Sequence, residues 1–357
     1  MRRVVAVAAL LAAGAACAAP AAGSPCDGTW EGRLGASPVM LQFNWDGLGS
    51  YYLGTALVGA VLRPGENDPQ AWEEYDEDGR RTGSLRLECA ADAVRGERTS
   101  TGGQRSALQG RRVEDNSFNR RRLGAVDLVP QRTLSEQGRV LEVIAARGIP
   151  QIVTLRIRQP GAGEAAVNQR LRAALLQQLD NHLQCQALVR AKGRFAPAGG
   201  DTLSLQRLDW RGSVLSAQFW LHGNCGNPEG YAGPQQFTFD TATGEELPLP
   251  RWLLPEYRDG AAAGSALYDT LVLPQVLRGR RKLEDLPEAR RECGEFELAE
   301  KAVPLAVEDR GMVFGFHYSL RMAHCGIAFV APWAALEAFL SDDGRRWREA
   351  MRPAPRR

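Results

Sequence analysis

Histidine and cysteine carry most of the chemistry that this chain could perform, and they occur as two close pairs. His222 and Cys225 lie in a glycine-rich stretch, and His324 and Cys325 lie near the C-terminal end. Imidazole and thiolate are common zinc ligands, so the pairs would form a metal site if the fold brought them together. We favour the alternative of disulfide-bonded cysteines beside partly exposed histidines, because no two cysteines have C-x-x-C spacing. We therefore predict no metal and no cofactor.

The number of cysteines indicates a disulfide framework. Residues 1–23 have the charged start, apolar run and small residues of a signal peptide, and six cysteines follow them. An even number of cysteines in an exported chain is typical of disulfides. We pair the two cysteines of the N-terminal region with each other. We also pair the cysteine that follows the long predicted helix with the cysteine of the glycine-rich stretch. The predicted pairs are Cys26–Cys89, Cys185–Cys225 and Cys293–Cys325.

The same N-terminal segment predicts the compartment. Two arginines precede an apolar run at residues 4–16, which is too short to span a bilayer. We expect a mature start between Ala18 and Pro25, a periplasmic or secreted location, and no transmembrane segment. Residues 14–17, GAAC, also resemble a degraded lipobox, so a lipoprotein anchored through Cys17 is the alternative.

The charge balance excludes a general attraction to nucleic acid. The full chain has a formal net charge of +2, with 44 basic and 42 acidic residues. Loss of residues 1–23 removes two arginines and no acidic residue, which leaves no net formal charge. Because no basic field remains to attract phosphates, we predict no nucleic-acid partner.

Two short stretches mimic ligand-binding motifs. Residues 161–166, GAGEAA, follow a predicted strand and open a predicted helix, as a dinucleotide-binding turn does. We interpret them as glycines at a helix entry. Residues 74–79, EYDEDG, are acidic but lack the ligand spacing and terminal glutamate of a calcium loop, so we interpret them as a hairpin turn.

No motif assigns a catalytic residue. The sequence contains neither Gly-x-Ser-x-Gly nor His-Glu-x-x-His, and we expect binding rather than catalysis. The alternative is an enzyme that modifies cell-envelope glycans with acids such as Asp209 or Asp240. A catalytic carboxylate of that kind would have a raised pKa in a cleft. A purely structural envelope protein is a third class, which the absence of a concave pocket would favour.

Hydrophobic patterning predicts two domains and an α+β fold class. Residues 26–115 are short alternating runs separated by turn residues, which indicates an antiparallel β-meander in a half-barrel or sandwich. Residues 116–136 are a polar, arginine-rich linker. The pattern of residues 137–342 predicts an antiparallel sheet with helices on one face. Residues 343–357 are predicted to form a frayed basic tail.

Two segments organise the second domain. The clearest helix lies between residues 160 and 188, where Gln178 and Asp180 are predicted to face water. Its apolar face repeats every four residues through Val167, Leu171, Leu175, Leu179 and Leu183. Residues 214–250 predict a strand, the glycine-rich loop His222–Gly233, a second strand, a tight turn at 240–244 and a short third strand.

Four stretches of this domain share one resemblance. They are residues 150–171, with AVNQRL at a helix start; 237–249, FTFDTATGEELPL; 307–316, VEDRGMVFGF; and 326–333, GIAFVAPW. In this order they resemble segments of the extracellular domain of the lysozyme-sensing anti-sigma factor RsiV. The same RsiV-like domain precedes the catalytic part of the peptidoglycan deacetylase PdaC. The resemblance spans roughly residues 137–342 and leaves 26–115 outside.

The resemblance implies a binding domain in which the chain returns antiparallel after its first helix. It implies a lysozyme-like protein or peptidoglycan as the partner, and it imports no active site. Two loops lie beside predicted strand ends, and together with the resemblance their position predicts a binding surface on His222–Gly233 and Tyr318–Gly326. The predicted binding residues are His222, Tyr231, Tyr318 and His324. The second segment lacks the Pro-Tyr pair that the family has there.

Overall fold

The computed structural model describes residues 24–44, 47–65, 68, 70–114, 117–191, 200–225, 230–275, 277, 301–315 and 328–352. The predicted signal peptide with Cys17, the pair Cys293–Cys325, and the residues Tyr318 and His324 lie outside these ranges. Within them, no helix is both long enough and apolar enough to cross a membrane.

The N-terminal strands form a closed antiparallel barrel. Each strand pairs with the next, and the eighth returns to the first through Thr29–Leu34 against Leu108–Val113. The strands are β1 (Gly28–Leu34), β2 (Ser37–Phe43), β3 (Gly49–Leu53), β4 (Ala60–Pro64), β5 (Ala71–Tyr75), β6 (Arg81–Cys89), β7 (Ala93–Ser100) and β8 (Arg105–Val113). The strand order is that of the predicted meander, but the sheet is a complete barrel rather than a half-barrel or sandwich.

Glycines at the seam allow the barrel to close. Gly32 on β1 pairs with Gly110 on β8, and a Cβ on Gly32 would lie 2.6 Å from the Cα of Gly110. Large apolar side chains, including Trp30 and Trp72, fill the interior. The predicted disulfide Cys26–Cys89 is present and ties the segment before β1 to the end of β6. Such a bond stabilises mainly by restricting the unfolded chain.

The predicted linker contains two structural elements. Helix α1 (Ser117–Gly124) packs on the barrel, where the Phe118 and Tyr52 rings are 5.2 Å apart. Strand β9 (Leu128–Glu136) is the edge of the next sheet. The sequence did not predict this helix because its buried face includes an arginine rather than a stripe of apolar residues. Arg122 is buried with its guanidinium over the Tyr52 ring, 4.6 Å from the centroid. Residues 117–136 therefore join the barrel to the sheet as packed structure rather than as a free connector.

A seven-stranded sheet forms the second body, in the order β15-β14-β13-β12-β11-β10-β9. Its further strands are β10 (Arg139–Ala146), β11 (Ile149–Ile157), β12 (Thr202–Arg211), β13 (Val214–Gly223), β14 (Tyr231–Asp240) and β15 (Glu245–Glu246). Helix α2 (Ala162–Ala191) lies on one face of this sheet, and the apolar residues predicted for the helix pack against the sheet. We expected an antiparallel return after this helix, which is wrong: β12 pairs with β11 in parallel, at Ile152 and Leu203. The crossover helix allows this, since parallel neighbours need such a connection.

The opposite face of this sheet is covered by a third sheet. It consists of β16 (Val303–Glu308), β17 (Gly311–Gly315) and β18 (Phe329–Pro332). The two sheets are joined where the Val307 backbone N–H donates to Ser216 Oγ at 3.2 Å. The described chain is therefore β-rich with a few helices, and the larger sheet is covered by a helix on one side and strands on the other.

The predicted tail is partly ordered against this third layer. After the short helix α3 (Trp333–Leu336), helix α4 (Asp342–Ala350) begins at Ser341, whose hydroxyl accepts from the Gly344 backbone N–H at 3.1 Å. A Cβ on Gly344 would lie 2.9 Å from the carbonyl carbon of Trp252, so α4 packs closely there. The residues through Ala350 are thus a capped helix and not a frayed end.

Candidate functional site

A cleft of about 630 Å³ lies where the barrel meets the seven-stranded sheet. We call it the barrel–sheet cleft. The barrel contributes Gln42, Asn44, Leu48, Gly49 and Ser50, and α1 contributes Phe118. Helix α2 contributes Gln178, Asn181, Gln184, Cys185 and Ala187, and the sheet side contributes Asp201, Leu221, Cys225, Tyr231 and Gln235.

A hydrogen-bonded network forms the sheet side of this cleft. Asp201 is 1% exposed, and its Oδ1 accepts from the Tyr231 hydroxyl. Its Oδ2 accepts from Gln178 Nε2 at 2.6 Å, and Gln178 Oε1 accepts from Gln235 Nε2 at 3.3 Å. The Asp201 backbone N–H donates to His182 Nδ1 at 3.0 Å. Both carboxylate oxygens are therefore satisfied, as a buried charge requires.

The protonation of two members follows from their surroundings. Burial lowers the pKa of His182, and the nearby Asp201 carboxylate opposes this only in part. The neutral imidazole carries its proton on Nε2, because Nδ1 accepts from the backbone. Burial, together with the hydrogen bond to Asp201, raises the pKa of the Tyr231 phenol. The network thus holds a neutral histidine and a neutral tyrosine around the fully hydrogen-bonded carboxyl group of Asp201.

Two glycines make room for the network. A Cβ on Gly223 would lie 2.6 Å from Tyr231 Cζ and would also overlap Asp201 Oδ1. A Cβ on Gly200 would lie 2.8 Å from His182 Cε1. Glycine at these positions lets β13 and the start of β12 approach the polar side chains closely.

The predicted disulfide Cys185–Cys225 is present at the edge of the cleft. It joins the C-terminal half of α2 to the segment that follows β13, 40 residues later in sequence. Because Cys225 is bonded, its thiolate cannot serve the His/His/Cys metal site considered from the sequence. Among the residues that the structure describes, no group of three His, Cys, Asp or Glu side chains could hold a metal ion.

The structure separates the two predicted binding residues that it describes. Tyr231 lines the barrel–sheet cleft. His222 pairs across the hairpin with Ala232, while Tyr231 pairs with Gly223. Because side chains alternate along strands, His222 projects to the opposite face of the sheet, where it is exposed. The other two predicted residues, Tyr318 and His324, lie outside the described ranges.

Sequence reasoning missed Gln178, His182 and Asp201. Gln178 was expected to face water, but it is 5% exposed because it lies against the sheet side of the cleft, where it hydrogen-bonds to Asp201 and Gln235. Asp180 is half-buried and accepts a hydrogen bond from Asn119 of α1. The available signal was a polar stripe on α2, with amides at positions 178, 181 and 184 on one side of the helix.

The acids proposed for an enzyme have structural partners. Asp209 Oδ1 accepts from Arg211 Nε at 3.0 Å, and its Oδ2 accepts from the Asp309 backbone N–H at 2.9 Å. Asp240 Oδ1 accepts from the Ala242 backbone N–H at 3.1 Å, and its Oδ2 accepts from the Thr243 hydroxyl at 2.9 Å. The first carboxylate joins two sheets and the second closes the predicted tight turn.

The acidic stretch at residues 74–79 divides between the barrel interior and a turn. Glu74 is 2% exposed, and its carboxylate accepts two hydrogen bonds of 2.6 Å from Arg98. Burial acts to raise the pKa of Glu74, but hydrogen bonds from Arg98, Thr82 and Tyr51 outweigh it and lower the pKa. Asp76 instead accepts from the backbone of its own turn, as the hairpin interpretation expects.

The glycines at residues 161–166 serve the entry of α2. The Gly161 backbone N–H donates to Glu164 Oε2 at 2.8 Å. A Cβ on Gly163 would lie 2.5 Å from the carbonyl carbon of Ala242, so the helix start packs directly on the β14–β15 hairpin. This agrees with helix-entry glycines.

Comparison with known proteins gives little beyond this geometry. No family model matches the chain, and no curated protein matches it in sequence. A crystal structure of a member of the DUF3298 family from Bacteroides fragilis is similar at 11% sequence identity, with a TM-score of 0.37. That likeness covers 63% of this chain and 97% of the other chain. A likeness at this level establishes neither a family nor a function.

Proposed function

We propose that this protein is an exported, non-enzymatic binding protein of the cell envelope that captures its partner in the barrel–sheet cleft. The observation that carries the proposal is the cleft itself, a concave site of about 630 Å³ with a fixed polar wall. Ligand sites of proteins are concave, few in number and largely formed in advance. Two disulfides fit an exported chain, and the periplasm or the cell exterior is the location we propose.

The state of the polar groups supports binding over turnover. A general base needs an unengaged acceptor within reach of the proton that it removes. In the cleft, both Asp201 oxygens and His182 Nδ1 already accept hydrogen bonds from the protein. Asp209 and Asp240 are engaged in the same way. These contacts hold the wall rigid, which reduces the entropy lost on binding.

The nature of the partner rests on the sequence resemblance. Residues 137–342 resemble the RsiV-like domain, so we propose a lysozyme-like protein or peptidoglycan as the partner. The barrel would complete the site, since Gln42, Leu48 and Ser50 form one wall of the cleft. A purely structural role is disfavoured because a structural protein needs no such cavity.

Binding assays with matched substitutions test the proposal. The mature chain would be titrated with purified lysozyme and with insoluble peptidoglycan, and the assays repeated with Tyr231→Ala and with His222→Ala. We expect Tyr231→Ala to weaken binding and His222→Ala, on the opposite face of the same hairpin, to leave it unchanged. A Tyr318→Ala variant extends the comparison to the second predicted segment.

Two outcomes would contradict this assignment. Binding that responds to His222→Ala but not to Tyr231→Ala would move the site to the other face of the sheet. Glycan cleavage or deacetylation that an acidic substitution abolishes would replace the binding function with an enzymatic one.

A further inference from the structure

Resting on the proposed function, we infer that the barrel–sheet cleft takes an uncharged saccharide rather than a charged ligand or a peptide. The first reason is the chemistry of its lining. No lysine or arginine occurs among the described residues that line it, and its single carboxylate, Asp201, is buried under protein hydrogen bonds. A charged ligand would lose its hydration there without gaining an opposite charge.

Carboxamides occupy the positions that face the cleft. Gln178, Asn181 and Gln184 project from α2 at intervals of three residues, which places them along one side of the helix. Gln42 lies across the cleft on β2, and Gln235 lies on β14. Each carboxamide offers both an N–H₂ donor and a carbonyl acceptor. That pairing matches hydroxyl and acetamido groups, which also donate and accept within one functional group.

The cleft also has an apolar component of suitable size. Leu48 on the barrel, Phe118 on α1 and Leu221 on β13 line it beside the amides. Sugar rings present C–H faces that pack on such side chains while their hydroxyls bond to polar neighbours. A volume of about 630 Å³ lies in the middle of the range of roughly 300–1,000 Å³ that small-ligand sites occupy. A short oligosaccharide therefore fits better than a single ring.

Part of the amide set is held in place before a ligand arrives. Gln178 is fixed between Asp201 and Gln235, at 2.6 and 3.3 Å. Asn181 accepts from Gln177 Nε2 at 3.2 Å and is exposed, as is Gln184. The fixed amides set the orientation of a ligand, and the exposed ones are free to adjust to its hydroxyls. A peptide segment would instead need a sheet edge or a groove with an apolar stripe.

Calorimetric titration of the mature chain tests this inference. The panel contains N-acetylglucosamine oligomers and other neutral oligosaccharides, their de-N-acetylated cationic counterparts, anionic uronic-acid oligomers and synthetic peptides. We expect a neutral oligosaccharide to bind and charged oligomers of equal length to bind at least about tenfold more weakly. Gln235→Ala and Asn181→Ala should each weaken binding about three- to tenfold, the value of one hydrogen bond. Gln169→Ala, on α2 but outside the cleft, should leave it unchanged.

The results separate this inference from the proposed function. If lysozyme or peptidoglycan binds in a Tyr231-dependent way while no neutral oligosaccharide binds, the saccharide inference is wrong and the binding function stands. Saccharide binding that ignores Gln235→Ala and Asn181→Ala would place the saccharide elsewhere. Equal binding of charged oligomers, or tighter binding of peptides, would also overturn the inference. If no member of either panel binds in a Tyr231-dependent way, the proposed function itself fails.

Discussion

Replacing Gly223 with alanine should break the polar wall of the cleft. The added Cβ would lie 2.6 Å from Tyr231 Cζ and Oη and would overlap Asp201 Oδ1, so the hydrogen bond between them has to open. A hydrogen bond to a charged group contributes about 1.5–3 kcal/mol. Overpacking a tight site costs about 1–3 kcal/mol more. We therefore expect Gly223→Ala to lower the free energy of unfolding by about 2.5–6 kcal/mol.

Urea denaturation followed by circular dichroism measures this change, provided that the slope with denaturant is unaltered. The matched control is Gly233→Ala in the same hairpin, where no atom lies within 4 Å of the new Cβ. That variant should change stability by no more than about 0.5 kcal/mol. In a Tyr231→Phe background the cost of Gly223→Ala should shrink, because the hydrogen bond is already gone. Equal effects of the two alanines, or full additivity with Tyr231→Phe, would refute the reasoning.

Three further predictions concern other parts of the molecule. Because burial lowers the pKa of His182, the unfolded chain gains its proton at higher pH, so stability should fall as pH drops below about 6.5 and level off below the folded pKa. Denaturation curves of His182→Gln, which keeps an acceptor, should lack this component. Glu74→Ala should cost about 3–5 kcal/mol by leaving Arg98 unpaired in the barrel, and a smaller loss in melting experiments would contradict this. Replacing Cys185 and Cys225 by serine should cost about 4 kcal/mol, the chain-entropy value for a 40-residue loop, and should weaken partner binding at the cleft.

Local patterns predicted most strands, because strand signals are short-range. The turn between β14 and β15 required a residue with positive φ, and Gly244 adopts φ 77° there. Closure of the barrel depends instead on pairing Gly32 with Gly110, which lie far apart in sequence. Helix α1 was missed for a related reason: the burial of Arg122 depends on the barrel beneath it, and no local apolar stripe signals it.

The cleft could be predicted only in part, and the strand register explains why. Tyr231 and His222 were assigned to one loop surface, whereas the hairpin pairs Tyr231 with Gly223 and His222 with Ala232. A shift of one residue exchanges the faces of a strand, so their separation follows once the register is known. Gln178 was assigned to solvent because helical periodicity reports only the apolar stripe and not what covers the polar side.

The barrel is part of the site because specific polar contacts hold it against α2, both directly and through α1. Asn119 donates to Asp180, the Arg63 guanidinium donates to the Arg190 carbonyl at 3.0 Å, and Arg122 Nη1 donates to the Leu57 carbonyl at 2.8 Å. Burial lowers the pKa of Arg122 to about 10, so it stays charged at neutral pH, and its loss would remove the donor to the Leu57 carbonyl and to Asn119 Oδ1. One wall of the cleft is carried by the barrel and the other by α2 and the sheet. These polar contacts fix the distance between the two walls, and that distance sets the size of the ligand that fits. A barrel that packed in another position would not form the second wall of the cleft.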